Sequence, residues 1–295
     1  MKKKIIVGFI LAFLMVMGAL SIKAVRNPDY GLSGNGSPCI GVIEIKGVIA
    51  GDNAPNWLGG QTSGSRGIMD ALRKAQKRED IKAVILRIDS PGGTSVASEE
   101  IGIEVDKLQK QGKLVITSMG DVCASGGYWI ACSSNHIVAN GSTLTGSIGV
   151  IMNLANLEGL YDKLGIKQEA IKSGQYKDMG SSSRELTESE RAILQEMVDD
   201  SYEQFIKQVL KGREGKIDEQ KLREIADGRI IMGRKALELG LVDSIGNFYD
   251  AVTIAEKMAG LREGTRLELL NSNNFWDLVM TIPQTGIPQF FEMRY

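Results

Sequence analysis

The chain has 295 residues but one histidine, His136, and three cysteines, Cys39, Cys123 and Cys132. Each scarcity removes a class of chemistry. One histidine and scattered cysteines supply no cluster of zinc-type ligands. Three cysteines cannot all pair within the chain and no Cys-x-x-Cys occurs, which excludes a disulfide scaffold and a dithiol redox motif. An excess of charge of one sign is missing too: 35 Lys and Arg stand against 36 Asp and Glu, so nothing points to a nucleic-acid partner. A Ser-His-Asp triad would have to use His136, which starts the short strand-like run Asn135–Asn140 and is expected at an exposed edge position. Low-complexity tracts are absent, and the only repetition is an approximate strand, turn and helix unit.

What is present begins at the N-terminus. Lys2, Lys3 and Lys4 precede an uncharged apolar run from Ile5 to Ile22. At about 1.5 Å per residue it spans roughly 27 Å, close to a hydrocarbon core of about 30 Å. The positive charge before it exceeds that after it (Lys23, Arg26), which sets the N-terminus inside the cytoplasm and the rest of the chain outside. Ala19-Leu20-Ser21 is a passable signal-cleavage site, but the apolar run is longer than the usual ~7–15-residue signal core. A retained single-pass transmembrane anchor over residues 1–25 is therefore the favoured reading. Both readings export the remainder. Residues 26–38, rich in Asn, Gly, Ser and Pro, form a flexible tether.

A globular domain is expected over residues 39–270. Strand-like runs at Ile40–Ile49, Ala83–Ile88, Leu114–Thr117 and Asn135–Asn140 alternate with helical patterns at 66–77, 95–110 and from Tyr128. Alternation of this kind implies an α/β domain with a largely parallel sheet. Further on, Leu144–Ile151 reads as a glycine-punctuated turn and strand, 157–164 as a helix and 168–172 as extended. Thr187 and Glu190 have capping-box spacing and open a long helix to about Lys211. A helix at 218–226, a strand, helix and strand over 229–243, a helix at 247–259 and a strand at 266–270 follow. The tail, 271–295, carries Phe275, Trp276, Phe290 and Phe291 and is expected to pack as a terminal segment.

The stretch that carries chemistry is Asp121-Val-Cys-Ala-Ser125-Gly-Gly-Tyr-Trp-Ile-Ala131. A serine at a strand-to-helix turn is placed to act as a nucleophile. The glycines after it let a carbonyl approach the backbone, and a helix N-terminus favours developing negative charge. Cys123, two residues earlier, is a rival nucleophile or simply a buried residue. The turn is not the Gly-x-Ser-x-Gly elbow of α/β hydrolases, because Cys123 replaces its first glycine. The second glycine turn, Asp89-Ser-Pro-Gly92-Gly93, also ends a strand, so the two turns are expected to converge on one crevice. With a histidine base disfavoured, lysine is the remaining candidate. An unperturbed lysine titrates near 10.4, so a lysine base needs an apolar niche and a hydroxyl to orient it. Lys177, beside Tyr176 and Met179 in a polar loop, is a candidate; most lysines are solvated surface charges.

Ser90-Pro-Gly-Gly93, Ala124-Ser-Gly-Gly-Tyr128, Leu144-Thr-Gly-Ser-Ile-Gly-Val150 and Ser173-Gly-Gln-Tyr-Lys-Asp178 occur in order and spacing that resemble the signal peptide peptidase A family, peptidase family S49. The segment Gly233–Asp243 is also similar to the family pattern. The likeness covers about residues 39–260, and the single set of motifs resembles the family's short form. It implies a ClpP/crotonase-like fold and a membrane-bound serine endopeptidase that degrades cleaved signal peptides and other apolar peptides with a Ser-Lys dyad. Residue by residue it implies Ser125 as nucleophile, Lys177 as general base, Ser147 as the hydroxyl that holds the lysine, and Gly92 and Gly126 as oxyanion-hole donors. It implies no metal or organic cofactor. It also implies a homo-oligomeric ring on the lipid bilayer, in whose short forms the lysine reaches a serine of a neighbouring protomer. Cys123 departs from the family's usual alanine. Two other readings share the fold: a crotonase-like acyl-CoA enzyme, which the export segment opposes, and a non-catalytic membrane scaffold or peptide-binding module, which the joint presence of Ser125, Lys177 and Ser147 opposes.

Overall fold

The computed structural model describes residues 36–51 and 62–271. The expected anchor at 1–25, most of the tether and the tail after Asn271 lie outside the described residues. Among the described residues, no helix is long and apolar enough to cross a membrane.

The strands are β1 (Cys39–Lys46), β2 (Val48–Ala50), β3 (Thr62–Gly64), β4 (Ile81–Ser90), β5 (Leu114–Ala124), β6 (His136–Ala139), β7 (Leu144–Gly146), β8 (Ile230–Met232), β9 (Ser244–Ile245) and β10 (Arg266–Leu269). The helices are α1 (Ser65–Lys77), α2 (Ser95–Lys110), α3 (Gly126–Ala131), α4 (Glu158–Lys163), α5 (Glu188–Gly212), α6 (Glu219–Ile225), α7 (Gly233–Glu238) and α8 (Phe248–Met258). The main sheet runs β10-β1-β4-β5-β6-β9, parallel throughout. At its C-terminal end β7 continues it alongside β5, and β8 pairs antiparallel with β7.

Residue alternation in the strands explains why both faces are covered. In β4, Val84, Leu86 and Ile88 pack with Leu72 of α1 and Ile101 and Val105 of α2. The intervening Ala83 and Ile85 pack with Ala251 and Ala255 of α8. A strand buried on both faces reads as a continuous apolar run, which is why it was legible in the sequence. Gly47 breaks the first run with φ 71°, leaving β1 and β2 as separate strands. Thr94 caps α2 through Ala97 N–H, and Thr187 with Glu190 forms the expected capping box on α5.

Three expectations shift. The apolar signal of β5 ends at Thr117, yet the strand continues to Ala124. Its second half is held from outside: Val122 N–H donates to Asp89 Oδ1 (3.0 Å), Thr143 Oγ1 donates to the Gly120 carbonyl (2.8 Å), and β7 pairs with Val122–Ala124. Residues 168–172 form no strand. The last strand of the 229–243 segment forms instead at Ser244–Ile245. Here a buried ion pair replaces apolar pattern. Arg213, 1% exposed, donates to both carboxylate oxygens of Asp243 at 2.9 Å, and Asp243 accepts the N–H of Ile137 in β6. Burial raises the Asp243 pKa, but Arg213 and Lys216 outweigh it and hold the carboxyl down to about 2.

Candidate active site

Ser125 directly follows β5 and is the N-cap of α3, with φ 51° and ψ −121°. Among the described residues only two that are not glycine have positive φ: Ser125 and Ser147, the latter at 48°. Such backbone costs of order 1–3 kcal/mol and persists only where the surroundings over-determine it. Here they do. The pairing of β5 with β7 sets Ala124 opposite Gly146, so Ser125 and Ser147 follow paired residues. Ser125 N–H donates to the Gly146 carbonyl (2.9 Å), Ser147 N–H to the Arg229 carbonyl (2.8 Å), and Thr145 Oγ1 to the Cys123 carbonyl (2.6 Å).

The Ser90–Gly93 turn closes on this elbow. Gly92 has φ +105°, and a Cβ placed on it would lie 2.8 Å from both Gly126 N and Ser125 Cβ. A Cβ on Gly93 would run into the Ile49 carbonyl, and one on Gly126 into Ser98 Oγ. The glycines are therefore required for approach of backbone to backbone. Three of the sequence motifs thus meet at the C-terminal ends of β4, β5 and β7, where an open parallel sheet places its sites.

The amides at this point are not equivalent. Gly92 N–H donates to Ser90 Oγ at 3.0 Å, so it is already engaged. The flanking bonds, Ile49 N–H to the Gly92 carbonyl and Thr94 N–H to the Ile49 carbonyl, direct Gly93's own N–H away from Ile49. Gly93 N lies 3.2 Å from the Cβ position of Gly126 and has no acceptor among the described residues. Gly126 N–H opens α3, where no intrahelical acceptor exists. The free pair of amides is Gly93 and Gly126, not Gly92 and Gly126. The sequence shows two adjacent glycines and cannot tell them apart; the Ser90 side chain decides.

The rival groups fall away. Cys123 is fully buried, and burial raises its thiol well above the ordinary value, so it offers no thiolate. Burial likewise pushes Cys132 up to about 12. His136 pairs with Ile116, nine residues before Ser125 along β5, which at about 3.3 Å per residue puts it roughly 25–30 Å away. Its Nε2 shares a hydrogen bond with Ser244 Oγ at 2.9 Å, and burial lowers its pKa.

Lys177 sits elsewhere. It lies on a surface arm, 151–177, exposed throughout except at half-buried Tyr161. Its N–H donates to the Gly174 carbonyl, while its ammonium has no hydrogen bond or ion pair among the described residues. The arm displays Ile151, Leu160, Leu164 and Ile171 to solvent, Ile171 completely. No hydrogen bond joins Lys177 to Ser125 or Ser147. The structure therefore brings together Ser125, Ser147, Gly92, Gly93 and Gly126 and leaves Lys177 on an apolar, unburied arm.

Comparison with known proteins finds relatives among peptidases. Peptidase family S49 matches residues 107–262. A Synechocystis protein named "Putative protease slr0021" is 45% identical over 220 residues, 74% of this chain and 74% of its own. An Enterococcus faecium protein named "Putative signal peptide peptidase SppA" is 38% identical over 229 residues, 78% of this chain and 66% of its own length. Among solved structures, a mutant of the membrane-bound stomatin-specific protease 1510-N matches with TM-score 0.50 at 16% identity, covering 81% of this chain and 100% of that one. At that identity the likeness bears on the fold alone, and a parallel sheet with helices on both faces fits the ClpP/crotonase-like class.

Proposed function

Because the chain belongs to peptidase family S49 and is a serine protease, we propose that it is a membrane-anchored endopeptidase that cleaves signal peptides and other apolar peptides with Ser125 as nucleophile and Lys177 as general base. Residues 1–25 are the anchor, with the N-terminus in the cytoplasm and the catalytic domain outside it. The observation that carries the serine assignment is the strain: among the described residues the two that are not glycine and have positive φ are Ser125 and Ser147, which follow paired residues of β5 and β7.

In this reading Ser125 Oγ attacks the scissile carbonyl carbon as neutral Lys177 takes its proton. The oxyanion so formed is met by the N–H groups of Gly93 and Gly126, each such donor being worth about 2.7–4 kcal/mol in the barrier. Lys177 then protonates the departing amine, which breaks the C–N bond and leaves an acyl-serine. Water, deprotonated by the same lysine, hydrolyses the ester. Ser147 holds the lysine amine between steps. No metal or organic cofactor enters these steps.

The arm supplies the case for assembly. A lysine base needs desolvation, and Lys177 is exposed at the end of an arm that also displays Ile151, Leu160, Leu164 and Ile171 to solvent. Packing of the arm against a neighbouring copy buries those side chains and brings Lys177 to that copy's Ser125 in a homo-oligomeric ring.

The test uses the full-length protein in detergent and an apolar fluorogenic peptide. Ser125→Ala and Lys177→Ala are each expected to be inactive at native oligomeric size. Dissociated and reassembled together at equal amounts, they regain activity, about one quarter of wild type for random placement in a closed ring. Undiminished cleavage by Lys177→Ala defeats the dyad. Two inactive single variants that show no recovery after verified mixing defeat the shared site and leave a dyad within one chain.

A further inference from the structure

The residue after the proposed base is held far more tightly than the base itself. The Asp178 carboxylate is gripped from two sides. Lys172 Nζ donates to Oδ1 at 2.6 Å and to the Gln175 carbonyl at 3.2 Å, closing the loop on itself. Arg184 donates through Nε to Oδ2 (3.2 Å) and through Nη2 to Oδ1 (2.9 Å) and to the Asp178 carbonyl (3.3 Å).

The same guanidinium reaches into α5. Its Nη1 and Nη2 donate to Glu190 Oε2 and Oε1 at 2.8 and 2.5 Å, and Nη1 also donates to the Glu185 carbonyl. Glu190 is 2% exposed and completes the capping box, with Oε2 accepting Thr187 N–H at 2.9 Å. The far end of α5 is rooted in the core by Phe205, Ile206 and Val209. A chain of charge-assisted bonds thus runs from the core helix through Glu190 and Arg184 to the residue beside Lys177.

Isolated surface ion pairs add little stability, with a median near 0–1 kcal/mol. A planar guanidinium bonded two-fold to each of two carboxylates gives geometry instead, because its donors form a fixed fork. Geometry is what a presented lysine lacks. Its stem is flexible, its ammonium is unbonded, and the arm before it is exposed. Only the main chain can set where the amine starts, and a misplacement of about 1 Å costs on the order of 10²-fold in rate.

We infer that Arg184, bonded to Asp178 on one side and Glu190 on the other, is a positioning residue that fixes the main chain carrying Lys177 relative to α5. This rests on Lys177 being the base. Asp178 and Lys172 complete the clamp, and the Lys177 side chain alone stays free to enter the site.

The test compares full-length wild type with Arg184→Ala, Asp178→Asn, Lys177→Ala and the double variant Arg184→Ala/Lys177→Ala. Readouts are kcat, KM, the pH profile of kcat, and oligomeric mass. Arg184→Ala and Asp178→Asn are each expected to lower kcat roughly 10–100-fold with KM little changed. The ionisation that governs kcat should move and the assembly should stay intact. Added to Lys177→Ala, Arg184→Ala should change nothing further. Wild-type kcat and pH profile in an assembled Arg184→Ala overturn the inference, as does a loss that only tracks lost assembly in both clamp variants. If Arg184→Ala does not assemble, the near-isosteric Asp178→Asn decides. An active Lys177→Ala would instead remove the base assignment, and an inactive Lys177→Ala beside a fully active Arg184→Ala removes only the clamp.

Discussion

The main-chain N–H of Ser125 donates to the carbonyl of Gly146 at 2.9 Å, one residue before Ser147. That bond continues the β5–β7 pairing one residue beyond the ladder and carries both serines into positive φ together. The turn at Ser125 and the turn bearing the Ser147 hydroxyl are thus one piece of backbone. Disturbing either is felt by both.

The strain at Ser125 is measurable. Ser125→Gly and Ser125→Ala should both abolish peptidase activity. Glycine tolerates φ 51°, ψ −121° and alanine does not, so the glycine variant should be the more stable of the two by about 1 kcal/mol. Thermal melts of the two inactive variants read the difference directly. Equal or reversed melting temperatures would mean the elbow is not strained.

Gly92→Ala is expected to be inactive and destabilised by about 1–3 kcal/mol from the left-handed backbone alone. The added methyl also lies 2.8 Å from Gly126 N and Ser125 Cβ, so it pushes apart the two turns that form the site. Loss of activity with an unchanged denaturant midpoint would show that the turn, not the fold, absorbs the clash.

Acid should weaken the fold through Asp243. Its pKa is depressed in the folded state, from 3.8 to about 2, so its contribution is fully present above the unfolded value near 4. That contribution is lost as pH falls through about 2, and its size is on the order of 2 kcal/mol. Urea unfolding between pH 5 and pH 2 should therefore show a steeper loss in wild type than in Asp243→Asn. Arg213→Ala removes both guanidinium bonds and leaves Asp243 only Lys216 as an ion partner, so it should cost about 1.5–3 kcal/mol at pH 7.

The thiols should be silent. Cys39, Cys123 and Cys132 are buried and unpaired, and burial raises each thiol above its ordinary value. A small alkylating reagent at pH 8 should leave activity intact and modify none of the three in the native protein. In denaturant all three should react. Rapid native labelling of Cys123 with loss of activity would reopen its role as a nucleophile.

How far the sequence reached depends on the kind of signal each element leaves. The buried strand Ile81–Ser90 and the helix Ser95–Lys110 were legible because a continuous apolar run and a helical pattern are written locally. The far half of β5 was not, because Gly120–Val122 carry no apolar pattern and are held by Asp89 of β4 and by Thr143, just before β7. The Arg213–Asp243 pair and the Arg184 clamp were invisible for the same reason: one charged residue looks like another until its partner is placed.

For the site, the sequence by itself determined the residue types and their order: a serine before two glycines, a second glycine turn, a serine in a third motif and a lysine in a fourth. Tertiary structure alone decided which of these meet. Backbone pairing of β5 with β7 drove Ser125 and Ser147 to positive φ, and Ser90 engaged Gly92 and left Gly93 free. The arm carried Lys177 out to solvent. The physical reason is that residue identity is a local property of the chain, whereas strain, amide availability and burial arise from contacts between segments far apart along it.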